Sequence, residues 1–267
     1  MIVGIDVGAT ITKAVVVAGG RLERKVKTRA ADAVTAATGA FGKLLMENGI
    51  SIAAVEGIRI TGVGAARIGN DIFGIPTSRV DEIKAIGTGG MFLSGLDGIV
   101  IANLGTGTAI VEAGSGGIAH LGGSGVGGGT IVGLARRLLP SAEFPEIVRL
   151  ARGGDLGSVD LLLGDIMDTE MGFLSKKTTV SNFGKMSDGA SNEDVALAIV
   201  NMVFQVIGML AVFAARAKGS PRVIVTGNGS GNPVGQKVLA EISAMYGTEF
   251  VYPADAEYTT AVGAALA

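Results

Sequence analysis

Apolar positions along the chain fall into two patterns. Short apolar runs broken by glycine or charge read as strands, and longer stretches with apolar residues three to four apart read as helices. Residues 2–7, 11–17 and 21–28 predict three consecutive strands, followed by a helix over about 31–49 and a short strand at 57–61. A helix is then expected to start near Gly64–Ala65, and another to run from about Arg79 to Ser94. At Gly98 the strand–strand–strand pattern begins again. It leads through a glycine loop, Gly122–Gly129, into a helix at about 130–139, with shorter helices at 144–152 and 158–168. Residues 169–190 are polar and predict irregular chain. A long apolar helix follows to Ala217, started by the capping box Ser191-Asn-Glu-Asp194. Strand 222–226, loop 227–233, helix 234–246, strand 249–252 and helix 256–266 complete a mixed α/β pattern. The boundary falls near residue 97, giving units 1–97 and 98–267, with the last helix expected to cross back onto the first.

The restart is close to a repeat. IVGIDVGATITKAVVVAGGRL at 2–22 matches IVIANLGTGTAIVEAGSGGIAHL at 99–121 in layout: apolar strand, Gly/Thr turn, apolar strand, glycine turn, third strand. A Gly-Thr turn between buried strands can aim backbone N–H groups and a hydroxyl at a phosphate. Two such turns suggest two half-domains gripping one polyphosphate from opposite sides.

Composition narrows the chemistry. Of 267 residues, 48% are hydrophobic and 17% charged, enough apolar material for a large core. The net charge of −2 and the absence of a basic run give no support for nucleic-acid binding. With no Cys there is no disulfide, thiolate nucleophile or Cys-ligated cluster, and a single His makes no imidazole metal site. Residues 195–217 are long enough to span a bilayer, but Asn201 and Gln205 share one face and no flank is basic, so a buried or subunit-interface helix is expected rather than a membrane span. No basic segment precedes the first strand and Asp6 interrupts it, so no secretory signal is expected and the cytoplasm is the expected compartment.

Individual residues carry the next step. Asp6 ends an apolar strand, where a bare carboxylate is costly to bury unless it meets a cation such as Mg²⁺, directly or through water. Gly8 and Thr10 supply a tight backbone and a hydroxyl, and Lys13 is a point charge within reach of a transferring phosphoryl group. A plain hairpin with a solubilising lysine reads equally well from this segment alone. The second turn offers Asn103, Gly105, Thr106, Gly107 and Thr108. In the glycine loop, Gly127, Gly128 and Gly129 open a helix, where close approach of a phosphate would explain them. The loop is neither a Walker A sequence nor a dinucleotide fingerprint. Gly227 and Asn228, between a strand and a helix, either hold a nucleoside or merely turn the chain.

In order along the chain, GIDVGATITK, ITGVGA, VDEIKA, NLGTGTAIV, GGSGVGGGTIVGL, DIMDTE, SNFGKM, IVTGNGSGN and YTTAVGAAL resemble the type II pantothenate kinases. Those enzymes belong to the superfamily of acetate and sugar kinases, heat-shock ATPases and actin. The resemblance implies two ribonuclease H-like, actin-like ATPase lobes with mixed sheets flanked by helices and a nucleotide in the cleft between them. It implies ATP and Mg²⁺ as cofactors and phosphorylation of the pantothenate primary hydroxyl, the first step toward coenzyme A. It also implies a homodimer, here through helix 192–217, and a helix-start glutamate as catalytic base, which is Glu82 in Val80-Asp81-Glu82-Ile83. From the residues alone, Asp81 and Glu82 read as acids complementing a helix dipole. Three departures stand out, the first a mild one and the other two bearing on the acceptor. Ala9 stands where the family has Gly; His120 stands where it has Arg, beside Gly122 and Ser124 of the acceptor side; and GFLSKK within 171–177 lacks the family's proline-rich character. Histidine lacks the fixed charge and two-pronged geometry of arginine. A kinase of the same fold acting on another hydroxylated metabolite is therefore the alternative, and an ATPase acting on a partner protein the third reading. Dehydratase activators of this superfamily hold an iron–sulfur cluster on cysteines, which this chain lacks.

Overall fold

The computed structural model describes residues 1–29, 32–168, 172 and 174–267. Two mixed sheets, each carrying two antiparallel hairpins at one edge, organise the chain. The first comprises β1 (Ile2–Val7), β2 (Thr12–Ala18), β3 (Arg21–Thr28), β4 (Gly57–Thr61), β5 (Asp71–Ile72) and β6 (Ile75–Arg79), in the order β3-β2-β1-β4-β6-β5. Helix α1 (Ala33–Asn48) crosses from β3 to β4, and α2 (Glu82–Ser94) follows β6. The second sheet has β7 (Ile99–Leu104), β8 (Thr108–Gly114) and β9 (Gly117–Ser124). An insertion of α3 (Gly128–Leu138), α4 (Phe144–Ala151), β10 (Leu161–Leu162), the single turn α5 (Leu163–Ile166) and β11 (Thr179–Ser181) precedes α6 (Asn192–Ala217). Then come β12 (Arg222–Thr226), α7 (Pro233–Tyr246), β13 (Glu249–Val251) and α8 (Thr259–Leu266), and the sheet order is β13-β12-β7-β8-β9.

The two sheets are topological copies: β3-β2-β1-β4-β6 corresponds to β9-β8-β7-β12-β13, with parallel pairs β1–β4 and β7–β12 at equivalent places. The register makes Asp6 and Asn103 equivalent, as it does Thr61 and Thr226, which pair with them across the parallel strands. The terminal helices are exchanged. α2 leaves the first sheet and packs on β7, β8 and β9, while α8 leaves the second and packs on β1, β2 and β4. They cross through glycine: a Cβ on Gly89 would overlap the Thr259 carbonyl oxygen, and one on Gly263 the Ala85 carbonyl oxygen. α6 is the spine of the second core, with Phe204, Ile199 and Ile207 buried against β7, β12 and α7. It is long and apolar enough to cross a membrane, and 67% of its most apolar window is buried inside the protein.

Some expectations differ from the structure. The helix expected from Gly64–Ala65 is a 3-10 turn, Val63–Arg67, followed by the hairpin β5–β6. That hairpin turns on Phe73 and Gly74, both at positive φ (55° and 81°). A phenylalanine in a left-handed turn carries no Asn/Asp signature; it is held here by stacking on Phe41 at 6.4 Å. α2 begins at Glu82, not near Arg79, because Ser78 and Arg79 still pair with β4. The helix expected at 158–168 is a 3-10 turn, the short strand β10 and one helical turn. β10 pairs with β11, which lies inside the stretch expected to be irregular. Asp160, fully buried, organises this region by accepting from Phe183 N–H (2.8 Å), Thr179 Oγ1 (3.1 Å) and Asn201 Nδ2 (3.0 Å). The first glycines of the Gly122–Gly129 loop continue β9 as far as Ser124. Within the segment 171–177, Met171 and Phe173 lie outside the described residues, as do Thr169 and Glu170 of DIMDTE and Ala31 at the expected start of α1.

Candidate functional site

The β1–β2 and β7–β8 turns face one cleft. Thr10 and Ile11 of the first turn and Gly105 and Thr106 of the second line a cavity of about 890 Å³, with Gly128, Gly129, Asn228 and Gly229. Among the described residues, nothing accepts from the N–H groups of Ala9, Thr10, Thr106 or Gly107. The N–H groups of the glycine helix start are engaged. Gly128 donates to Gly105 O (3.0 Å), Gly129 to Thr106 O (2.9 Å) and Gly127 to Thr130 Oγ1 (3.1 Å). The glycines at the start of α3 are therefore explained by backbone packing: a Cβ on Gly127 would lie 2.6 Å from Thr106 O. The donors left open to an anion belong to the turns, not to the helix end. Thr108 is likewise committed, its hydroxyl donating to Val126 O at 2.8 Å, and Gly107 lies against Ser124 O.

Asp6 stands at the end of β1, opposite Lys13 on β2, with Lys13 Nζ 3.7 Å from its carboxylate. Both are buried. Burial pushes the Asp6 carboxyl above its ordinary range, against the pull of Lys13, and burial pushes the Lys13 ammonium below its own. Beside them, Thr61 Oγ1 is buried and has no partner. A Cβ on Gly62 (φ 88°) would lie 2.6 Å from Asp6 Oδ1. The second lobe repeats the arrangement without charge. Thr226 Oγ1 donates to Asn103 Oδ1 at 3.0 Å, and Gly227 (φ 82°) backs onto Leu104 O and Asn103 Oδ1. That bond leaves the Asn103 amide N–H₂ as a donor where the first lobe has a carboxylate. The repeated strand-end tripeptides Ile60-Thr61-Gly62 and Val225-Thr226-Gly227 were a sequence signal for this pair, beyond the turns themselves.

Glu82 is the first residue of α2, capped by Asp81, whose Oδ1 accepts from Lys84 N–H at 2.9 Å. Its carboxyl is raised by partial burial first, then by Asp6 and Asp81. Two residues before it, Val80 N–H still bonds Ile60 O (2.8 Å) at the end of β4, so α2 starts next to the end of the strand that pairs with β1; Glu82 itself is not in the lining of the cleft. His120 sits exposed on β9, paired with Val111. It shares a strand face with Ile118, which packs against Gly87 of α2. His120 is thus on the α2 side of the sheet, whereas a bulge after it puts Gly122 and Ser124 opposite Ile110 and Thr108, on the other face; none of the three is in the lining of the cleft. Ser124 Oγ accepts from Val126 N–H at 2.9 Å.

No group of three or more His, Cys, Asp or Glu side chains able to hold a metal occurs among the described residues. A buried carboxylate next to an unpartnered hydroxyl, on the strand leading into a turn with open N–H donors, fits a hard cation held through one carboxylate, water and phosphate oxygens, the habit of Mg²⁺.

Duplicated sheets, exchanged terminal helices and a cleft between the paired turns define an actin-like ATPase fold. The activator of the 2-hydroxyisocaproyl-CoA dehydratase from Clostridium difficile with bound ADPNP has this fold, with a TM-score of 0.68, 18% identity and coverage of 99% of this chain and 92% of that one. So has a ROK family glucokinase from Streptomyces griseus in complex with glucose and AMPPNP (TM-score 0.60, 14% identity, 98% and 97% coverage). The Fumble family model matches residues 98–267, and the chain belongs to this family, that of the type II pantothenate kinases. Pantothenate kinase 1 of Oryza sativa subsp. japonica is 36% identical over 137 residues, 48% of this chain and 20% of that protein. The type II pantothenate kinase of Bacillus anthracis is 29% identical over 175 residues, 64% of this chain and 63% of that protein. The matches thus span a fifth of the rice relative and somewhat under two thirds of the Bacillus one.

Proposed function

We propose that the protein is a cytoplasmic, ATP- and Mg²⁺-dependent kinase that phosphorylates the primary hydroxyl of pantothenate, giving 4'-phosphopantothenate at the start of coenzyme A synthesis. The observation that carries this is the convergence of Thr10 and Thr106, one from each copy of the repeat, on a single cleft. The family and the names of the relatives supply the acceptor. We take residues 1–97 and 98–267 as the two lobes, with α8 belonging structurally to the first.

Bound in the cleft with its cation, ATP supplies the phosphoryl group. The open N–H groups of the two turns hold phosphate oxygens, and the Thr10 and Thr106 hydroxyls add donors. Asp6 is the carboxylate for the cation, and Lys13 offsets charge beside it. Asn228 lines the cleft, and Gly8, Asn103 and Gly227 shape the strand ends and turns behind the lining. Glu82 accepts the hydroxyl proton of the acceptor as the new bond to phosphorus forms and the bond to the leaving diphosphate breaks. His120, on the α2 side, is placed for the acceptor, where the family uses arginine.

The test is direct. Purified protein with ATP and Mg²⁺ is expected to release ADP in response to pantothenate and to form a phosphorylated product of the corresponding mass. No pantothenate-dependent ADP, with release stimulated by another hydroxylated metabolite from a panel, would give the acceptor to the same-fold alternative that His120 motivates. Hydrolysis stimulated by no small acceptor would return the partner-directed ATPase.

A further inference from the structure

The cleft lining also has an apolar part, to which Ile131, Val132, Phe144 and Phe204 contribute, of a kind suited to a flat ring. Among the long polar side chains in the same lining are Gln236 and Arg136. Arg136 is exposed in the last turn of α3 and carries only donors.

Gln236 is different because its amide is oriented. It lies one turn into α7, whose start is fixed by Asn232 accepting from the N–H groups of Val234 (3.0 Å) and Gly235 (3.3 Å). Gln236 Nε2 donates to Ser230 O at 2.7 Å, and Ser230 is itself tied by its hydroxyl to Gly227 O at 2.7 Å. Facing a carbonyl, the amide can present only its N–H₂ group, so the oxygen is the end left over. Among the described residues nothing donates to Gln236 Oε1, and it is not among the buried polar atoms that lack partners. A half-buried side chain therefore offers an acceptor with fixed orientation in a cleft lining that is partly apolar.

Resting on the nucleotide reading of the cleft, we propose that Gln236 selects the base, its Oε1 accepting from the exocyclic 6-amino group of adenine. A 6-keto purine such as guanine or hypoxanthine turns an acceptor toward Oε1, and both then lose a partner. A site built to hydrogen-bond an N–H rejects the analogue lacking it far more strongly than an apolar pocket rejects a change of size. The rotation that would let Gln236 donate to a keto group breaks its bond to Ser230 O.

The experiment measures equilibrium binding by calorimetry of four non-hydrolysable triphosphate analogues carrying adenine, 2,6-diaminopurine, guanine and hypoxanthine. The full-length protein is used with Mg²⁺ and no acceptor. Wild type is expected to bind the two 6-amino analogues at least about tenfold more tightly than the two 6-keto ones. Gln236→Met, which keeps length and removes the carboxamide, is expected to bring all four within about threefold of each other by weakening the 6-amino pair. Gln236→Leu repeats the measurement should the Met variant fail to fold, with circular dichroism as the folding check. Binding of all four equally by wild type, or a tenfold preference surviving in the variants, overturns the role of Gln236 while leaving the nucleotide cleft standing. A preference for the keto analogues overturns it in favour of a donor such as Arg136. Binding of none of them overturns the nucleotide reading, and the base selection with it.

Discussion

At the residue scale the site is a matter of where carboxylates are allowed. Asp6 cannot move, because β1 is paired on both sides, to β2 and β4, and its neighbours Val3, Ile5 and Val7 are buried. Among the described residues its charge is opposed by Lys13 alone, at 3.7 Å, so desolvation dominates, raising the Asp6 carboxyl and lowering the Lys13 ammonium. Glu82 inherits part of that effect, since Asp6 and Asp81 add negative potential to its own burial. Glu82→Gln removes the proposed proton acceptor without changing size, and kcat is expected to fall by a factor of about 10²–10⁴ while nucleotide affinity stays within about twofold. Near-wild-type turnover by that variant would end the assignment. The pH dependence follows from the sign. A glutamate held above its usual range is protonated at a pH where an ordinary one is ionised, so kcat/KM falls as pH drops through the raised value and recovers above it. Asp81→Asn keeps the helix cap, because asparagine caps as well as aspartate, yet deletes one of the charges that raise Glu82. Its acid limb is expected at lower pH than that of wild type, and coincident pH profiles would contradict the electrostatic account.

At the element scale the crossing of α2 and α8 joins the two halves, and glycine sets how closely they approach. Adding a methyl at Gly263 would place it on the Ala85 carbonyl oxygen. Backbone cannot yield there without moving a helix, so Gly263→Ala is expected to cost about 1–3 kcal/mol in urea unfolding despite the better helix propensity of alanine. Gly39, inside α1, has nothing within 4 Å of the same added atom. Gly39→Ala is expected to stabilise by about 0.5–1 kcal/mol. If both substitutions moved stability in the same direction, the crossing would not be the contact argued here. Elements with strong periodicity or clear caps, such as α6 with its Ser191 box, were legible in the sequence because local signals decide them. β5, β6 and β10 were not, because tertiary contacts decide them: Phe73 in a left-handed turn needs Phe41, and β10 needs β11 and the buried Asp160. In the cleft, the two turns were visible from the repeat. That the amides of Gly128 and Gly129 are already taken was not, since which backbone approaches which is a property of the folded loops.

At the scale of the whole molecule, the second sheet is covered by α2 on one face and by α6 on the other, and α6 in turn has an outer side. α6 buries Asn201, Phe204, Ile207 and Ala211 on its inner side. On its outer side Met202, Val206, Met209, Leu210 and Phe213 are only partly covered, and Phe213 is 59% exposed. At helical spacing these residues fall within an arc of roughly 100°, an apolar stripe running along about three turns. A soluble protein leaves such a stripe open only where something covers it, and two copies of the same stripe meeting about a two-fold axis form a self-complementary contact. The helix expected from sequence to join subunits thus has an apolar outer face to do so. Phe213→Glu puts a carboxylate on the stripe without touching the core beneath. In light scattering at micromolar concentration wild type is expected at about twice the mass of the chain and Phe213→Glu at the mass of the chain, with an unchanged circular dichroism spectrum. The cleft lies on the other side of the second core, where Phe204 and Ile207 point, so the separated subunits are expected to bind nucleotide as the wild type does. A wild-type protein that scatters as a single chain would remove the interface. Loss of nucleotide binding together with dissociation would show instead that α6 transmits the contact to the cleft wall.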